Sequence, residues 1–145
     1  MEILDLLSYT VSGVLGYAVA LTAAGVVQDL SSEPITSQEH LEEVVREEAA
    51  KLGLDSRLIV PTFYAQGSKI RASRASSRYY MEFEGRQFSF HDLDLKAGFG
   101  GRRNTVRHEL YHIAKHVDAT RRGVVKYFFY EEPTAILYAL LGIQL

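Results

Sequence analysis

His108, Glu109 and His112 form an H-E-x-x-H motif inside a helix-forming run from Asn104 to about Val117. Residues four apart on a helix lie one turn apart on the same face. The two imidazoles can therefore converge on one metal ion, while Glu109, next to the first ligand, reaches a water on that ion. A zinc ion held by three protein ligands with an open fourth position polarises a carbonyl and acidifies its water. A carboxylate beside that water can take its proton and later pass it to a leaving amine. This is the chemistry of peptide-bond hydrolysis, and it requires a third ligand from elsewhere in the chain.

The surroundings suit the motif. Leu110, Ile113, Ala114 and Val117 recur at helical spacing, Asn104 is a candidate N-cap, and Gly98, Gly100 and Gly101 give a flexible entry. Downstream, the stretch from Tyr130 to Leu141 opens with Glu131 and Glu132 and continues as an apolar helix, so either carboxylate can complete the site. Pro133 pushes the residue before it out of the helical region, which predicts Glu132 at an N-cap.

Together, the H-E-x-x-H helix and the later pattern Glu132-x-x-Ala135-x-x-Tyr138-Ala139-x-Leu141 resemble the gluzincin metallopeptidases. The resemblance is to small members, the minigluzincins and ImmA/IrrE-type peptidases, whose glutamate helix reads E-x-x-A-x-x-[FY]-A and which often carry a histidine where His116 stands. It covers roughly residues 57 to 142 in order of elements. It implies a zinc-dependent endopeptidase with one Zn2+ per chain, held by His108, His112 and Glu132. Glu109 would be the catalytic base and a protein or peptide the substrate. The choice of Glu132 over Glu131 rests on this resemblance. So does the expectation that part of Phe88 to Leu95 lines the cleft and pairs with extended substrate by strand addition.

Other residues near the motif are weighed separately. His116 shares the helical face but lies about 12 Å along the axis from His108, too far to join one tetrahedral ion. It reads as a supporting or surface residue, and Asp118 as a candidate for orienting a ligand imidazole through its other ring nitrogen. An oxyanion stabiliser is also expected, with Tyr127, Tyr130, Tyr138, His91 and Arg103 as candidates among which the sequence does not choose. Substrate-binding residues are not identified.

These residues must be positioned by the rest of a 145-residue chain, a length that suits one catalytic domain with a real core. A formal charge of -2 predicts no nucleic-acid partner, and the absence of cysteine excludes a disulfide scaffold or a thiolate metal site. Residues 6–28 carry no charge and could cross a bilayer, with Ser12, Gly16, Ala20 and Ala24 as a small-residue stripe. A membrane anchor and an ordinary buried helix are the two readings of residues 1–30. A secretory signal fits less well, because the flank carries Glu2 and Asp5. The basic residues all lie C-terminal to this stretch, which favours a cytoplasmic catalytic domain spanning residues 36–145.

Gln28 to Pro34 reads as a linker. Thr36-x-x-Glu39 reads as a capping box opening a helix to about Leu52, with Leu41, Val44, Val45, Ala49 and Leu52 inward and Gly53 as its stop. Glu39, Glu42, Glu43, Glu47 and Glu48 read as its solvated face, and His40 among them is not expected to bind metal. Leu58 to Tyr64 is a strand with Pro61 pointing to an edge. Gly67 to Arg78, with Lys69, Arg71 and Arg74, reads as a solvated loop around a short strand. Arg78 to Phe90 is a hairpin turning at Gly85.

The expected fold is α+β. It has an apolar N-terminal helix, a small, mainly antiparallel sheet of three or four strands, the H-E-x-x-H helix and the glutamate helix, with zinc between the last two. Two rival functions remain. One is a non-catalytic metal-binding regulatory or interaction module, in which Glu109 would be dispensable and the histidines would not, or a latent peptidase. The other is a small membrane-associated interaction protein in which the motif is accidental.

Overall fold

The computed structural model describes residues 3–68, 74–98, 100–115 and 126–141. His116, Val117, Asp118, Lys69 and Arg71 lie outside the described residues. The described elements are α1 (Ile3–Leu30), α2 (Gln38–Lys51), a short 3-10 turn (Ser56–Leu58), β1 (Ile59–Tyr64), β2 (Arg74–Phe83), β3 (Arg86–Lys96), α3 (Arg103–Ala114), a π-helical turn (Tyr127–Glu131) and α4 (Glu132–Leu141).

The architecture is α+β, and the described residues form four α-helices and one three-stranded sheet in the order β1-β3-β2. That sheet is mixed, which corrects the expectation of a mainly antiparallel one. β2 and β3 form the expected hairpin, whose two-residue turn places Glu84 at φ 50° and Gly85 at φ 70°. Positive φ at both turn positions matches the twist of the flanking strands, and glycine takes it without strain. β1 joins the other side of β3 and runs parallel to it, Ile59 opposite His91 and Tyr64 opposite Lys96. Pro61 therefore sits on an edge strand, as its missing N–H requires. β3 is central and is paired on both sides from His91 to Asp94, which closes that part of the expected strand-addition segment, while the register with β1 begins only at His91 and leaves Phe88 to Phe90 outside it.

The core lies between the sheet, α2 and α3. Leu41, Val44, Val45 and Ala49 of α2 meet Ile59, Leu93 and Leu95 of the sheet and Val106, Leu110 and Ile113 of α3. Each fully buried leucine or valine contributes about 1.5–3 kcal/mol. The inward face of α2 is as its spacing predicts, and Gly53 ends the helix at φ 69°. Two details differ. Ser37, not Thr36, is the N-cap, its hydroxyl accepting from the His40 N–H at 3.1 Å. Glu48 is fully buried, not solvated: it lies seven residues after Leu41 on the same stripe and is met there by Arg103 and Arg107.

The thirty residues at the N-terminal end behave in two ways. Thr10–Leu30 is long and apolar enough to cross a membrane, with mean hydropathy 1.7 over an 18-residue window that is not buried in the fold. Val11, Val14, Leu15 and Val19 are exposed, so α1 is not the core helix that was one of its two readings. Its end is different, because Gln28 and Asp29 are buried against α3. The stretch after it, read as a linker, is bonded throughout. Pro34 bridges Arg102, the Ile35 N–H donates to Gly101 O at 2.8 Å, and the Arg103 N–H donates to Glu33 O at 3.1 Å. Gly101 is required at this crossing, since a Cβ there would stand 2.5 Å from the Lys96 carbonyl oxygen.

Candidate metal centre

Helix α3 distributes its residues among three neighbours. Val106, Leu110 and Ile113 enter the core, Tyr111 stacks on Tyr138 of α4 at 5.2 Å between ring centroids, and His108 and His112 face the start of α4. The helix begins two residues earlier than an N-cap at Asn104 would give: Arg102 is its N-cap and offers no side-chain cap. The first free N–H groups are satisfied from outside, Arg103 N–H by Glu33 O and Asn104 N–H by Ser32 Oγ. Asn104 is thus a buried residue of the first turn, and its amide donates to Gln28 O and Ser31 Oγ at 3.0 Å each.

The second half of the site depends on an unusual turn. Pro133 would clash with the carbonyl four residues back in a regular helix and disfavours helical backbone at Glu132. The chain widens instead into a π-helical turn, Tyr127–Glu131, in which the Glu132 N–H donates to Tyr127 O. Glu132 keeps helical dihedrals (φ −65°, ψ −47°), so it is a helical residue and not the N-cap that Pro133 suggested. The Thr134 hydroxyl reaches back to Tyr130 O and Glu131 O at 2.9 Å. Single π turns of this kind recur at functional sites, where they reset which side chains face inward.

The result is one cluster of ligand atoms. His108 Nε2 and His112 Nε2 are 3.0 Å apart, and each lies 3.3 Å from an oxygen of Glu132. His108, His112 and Glu132 are the described residues that could hold a metal ion together. Glu131 is buried, but its carboxylate is not among these donor atoms. The donor set and its dimensions fit a metal. Bonds of about 2.0–2.1 Å at a tetrahedral angle place ligand atoms about 3.3–3.4 Å apart. Two imidazole lone pairs aimed at one point beside a carboxylate also call for a cation between them.

The electrostatics follow from burial and this grouping. Burial alone would raise the pKa of Glu132, but His108 and His112 outweigh it and hold the carboxyl well below its usual range. Burial likewise opposes charge on His108, and Glu132 beside it reverses the balance and raises its pKa. Glu109 is pushed up, chiefly by burial, with both histidines pulling the other way. Its Oε2 accepts the Ala75 N–H at 2.7 Å, which ties it to β2. Among the five oxyanion candidates, Tyr127 is at the site. Its ring stacks on His112 at 5.6 Å, its hydroxyl hydrogen-bonds Glu132, and burial and that carboxylate raise its pKa. Tyr130 is exposed, Tyr138 packs on Tyr111, and Arg103 is held by Glu33, Glu47 and Glu48. His91 lines a separate cavity of about 210 Å³ with Leu54, Leu58, Phe88 and Ile113.

Gln28 was not expected at the site from the sequence, and its Oε1 lies 3.2 Å from Nδ1 of His108, the ring nitrogen opposite the one that faces Glu132. No local pattern marks it, since it stands 80 residues away. Comparison with protein-family models, with curated proteins and with solved structures finds no match to this chain.

Proposed function

We propose that the protein is a zinc-dependent metallopeptidase that hydrolyses peptide bonds. The observation that carries the reading is the convergence of His108 Nε2, His112 Nε2 and the Glu132 carboxylate within 4.8 Å, with Glu109 next to the first of them. A divalent zinc ion held by these three residues supplies a Lewis acid that acidifies water and polarises a carbonyl. With such an ion bound, Glu109, a carboxylate whose pKa burial already raises, would take the proton of the attacking water and hand it to the leaving amine. Tyr127 keeps its proton and points its hydroxyl at the centre, where it can donate to a developing oxyanion.

The substrate is a peptide in extended form. β3 is paired on both sides from His91 to Asp94, and β2 is the outer strand of the described sheet whose Ala75 N–H donates to Glu109. The free side of β2 beyond Ala75 is thus the strand edge nearest the base, and a substrate strand laid there would gain main-chain hydrogen bonds. α1 serves as a membrane anchor, supported by its length, its exposed valines and leucines and its lack of charge from Leu6 to Gln28. Every lysine and arginine lies at Arg46 or later, which supports a cytoplasmic catalytic domain.

The test is metal content and cleavage of casein or peptide, measured together on wild type and Glu109→Gln. One zinc per chain in both, with cleavage by wild type alone and a loss of about 100-fold or more in the variant, is the expected result. Equal activity in the two proteins would remove Glu109 from the chemistry. Zinc in both with cleavage in neither would favour a regulatory metal-binding module.

A further inference from the structure

Gln28 lies at the end of α1, two residues before Leu30, and is 5% exposed. Its side-chain oxygen meets His108 Nδ1 at 3.2 Å, while the opposite ring nitrogen of His108 faces Glu132 and His112. The two nitrogens of a neutral imidazole have opposite roles, one carrying the proton and the other the lone pair, and the partner of one decides the state of the other. An amide oxygen can only accept. It therefore holds the proton on Nδ1 and leaves the Nε2 lone pair for a metal.

This contact is held in place by the backbone around it. The Gln28 carbonyl accepts from the Asn104 amide at 3.0 Å, and Asp29 Oδ1 accepts from the Thr105 hydroxyl at 2.5 Å. Ser31 Oγ accepts from the Asn104 amide, and Ser32 Oγ accepts from the Asn104 N–H, both at 3.0 Å. These bonds fix the end of α1 on the first turn of α3, one turn before His108. The position of Gln28 relative to the ligand is thereby set by four contacts that do not involve the site itself.

We infer that Gln28 is a positioning residue for the ligand His108, which makes the end of the apolar helix α1 a structural part of the metal centre. The inference rests on the metal-centre reading above. Gln28 selects the tautomer and ring orientation in which His108 can ligate. A partner of this kind is worth about 10–100-fold in metal affinity. The helix that would anchor the protein is then also the wall of its site, and the site stands at the end of the candidate span.

The experiment is a zinc titration, by competition with a chromophoric chelator, on the full chain in detergent micelles. Wild type, Gln28→Leu and Gln28→Glu are compared, with the thermal midpoint of each metal-free protein as a folding control. Gln28→Leu removes the acceptor at similar size, whereas Gln28→Glu keeps one. The expected result is a 10–100-fold weaker zinc affinity in Gln28→Leu and recovery to within a few-fold in Gln28→Glu. Nitrogen-15 spectra of the zinc-loaded proteins should show the His108 Nδ1–H slow to exchange with solvent in wild type and Gln28→Glu, and exchanging faster in Gln28→Leu. Wild-type affinity in a folded Gln28→Leu, or no recovery in a folded Gln28→Glu, would overturn the inference and leave the metal centre standing. A wild type that binds no zinc would overturn both.

Discussion

Glu48 and Glu132 are both helix carboxylates drawn into the protein, and they are neutralised by different means. The Glu48 side chain is 1% exposed and is met by Arg103 Nε at 2.7 Å, Lys51 Nζ at 2.8 Å and Arg107 Nε at 2.9 Å. Burial would raise its pKa, but Arg107, Lys51 and Arg103 together hold it at about 2. Glu132, 23% exposed, has no lysine or arginine in its cluster among the described residues and faces two imidazoles and a tyrosine. An imidazole carries charge only when protonated, and a ligand imidazole must be neutral. The first cluster is complete with its own permanent cations and fastens α2 to α3. The second is a group of donor atoms that could hold a metal ion together. The contrast separates a cluster closed by its own cations from one that the proposed function fills with a cation from outside.

Of the two clusters, the one around Glu48 should lose the most stability when its carboxylate is replaced. Glu48→Gln leaves Arg103 and Arg107 beside a neutral side chain in a closed space, and removing one partner of a buried ion pair costs about 3–5 kcal/mol. Urea unfolding should show a loss of that size, or the variant should fail to accumulate as folded protein. A change below about 1 kcal/mol would mean that the network is not the fastening described here. The effect of acid is smaller and has a definite sign. Because the folded pKa of Glu48 lies below that of an unfolded glutamate near 4.3, the unfolded state binds more protons in between. The stability Glu48 contributes is present above about pH 4.3 and is lost as the pH falls toward about 2. Unfolding curves at pH 6 and pH 3 should therefore differ less in Glu48→Gln than in wild type. The smallest effect belongs to Lys51, which is 52% exposed at its side chain. Lys51→Met should cost about 0.2–1 kcal/mol by the same urea measurement, since solvent screens the exposed partner.

The same contrast shows where sequence reading succeeds. His108, Glu109 and His112 are recognisable because their spacing is local and a helix turns it into geometry. The hairpin at Glu84-Gly85 and the inward stripe of α2 are legible for the same reason, and Glu132 was reachable through a pattern of short range. What escaped was long-range. Glu48 looked like one acid among several on a polar face because its partner Arg103 is 55 residues away, although its spacing from Leu41 and Val44 already put it on the apolar stripe. Gln28 looked like the start of a linker, because nothing near it in the chain signals a histidine 80 residues on. The place of β1, parallel to β3 and not antiparallel to β2, depends on a crossing that no local periodicity records. The π turn was hidden in the conflict between Glu132 and Pro133, which read as a helix end and is resolved by a wider turn.

Zinc stoichiometry decides whether the cluster at His108, His112 and Glu132 is a metal centre. Native mass spectrometry and chelator competition on metal-replete wild type and Glu132→Gln would decide it. The account predicts one zinc per wild-type chain and an affinity at least about 100-fold weaker in the variant, since a ligand should matter more than the orienting partners worth 10–100-fold. A folded wild type with no stoichiometric metal, or a Glu132→Gln protein that binds zinc as tightly, would contradict it.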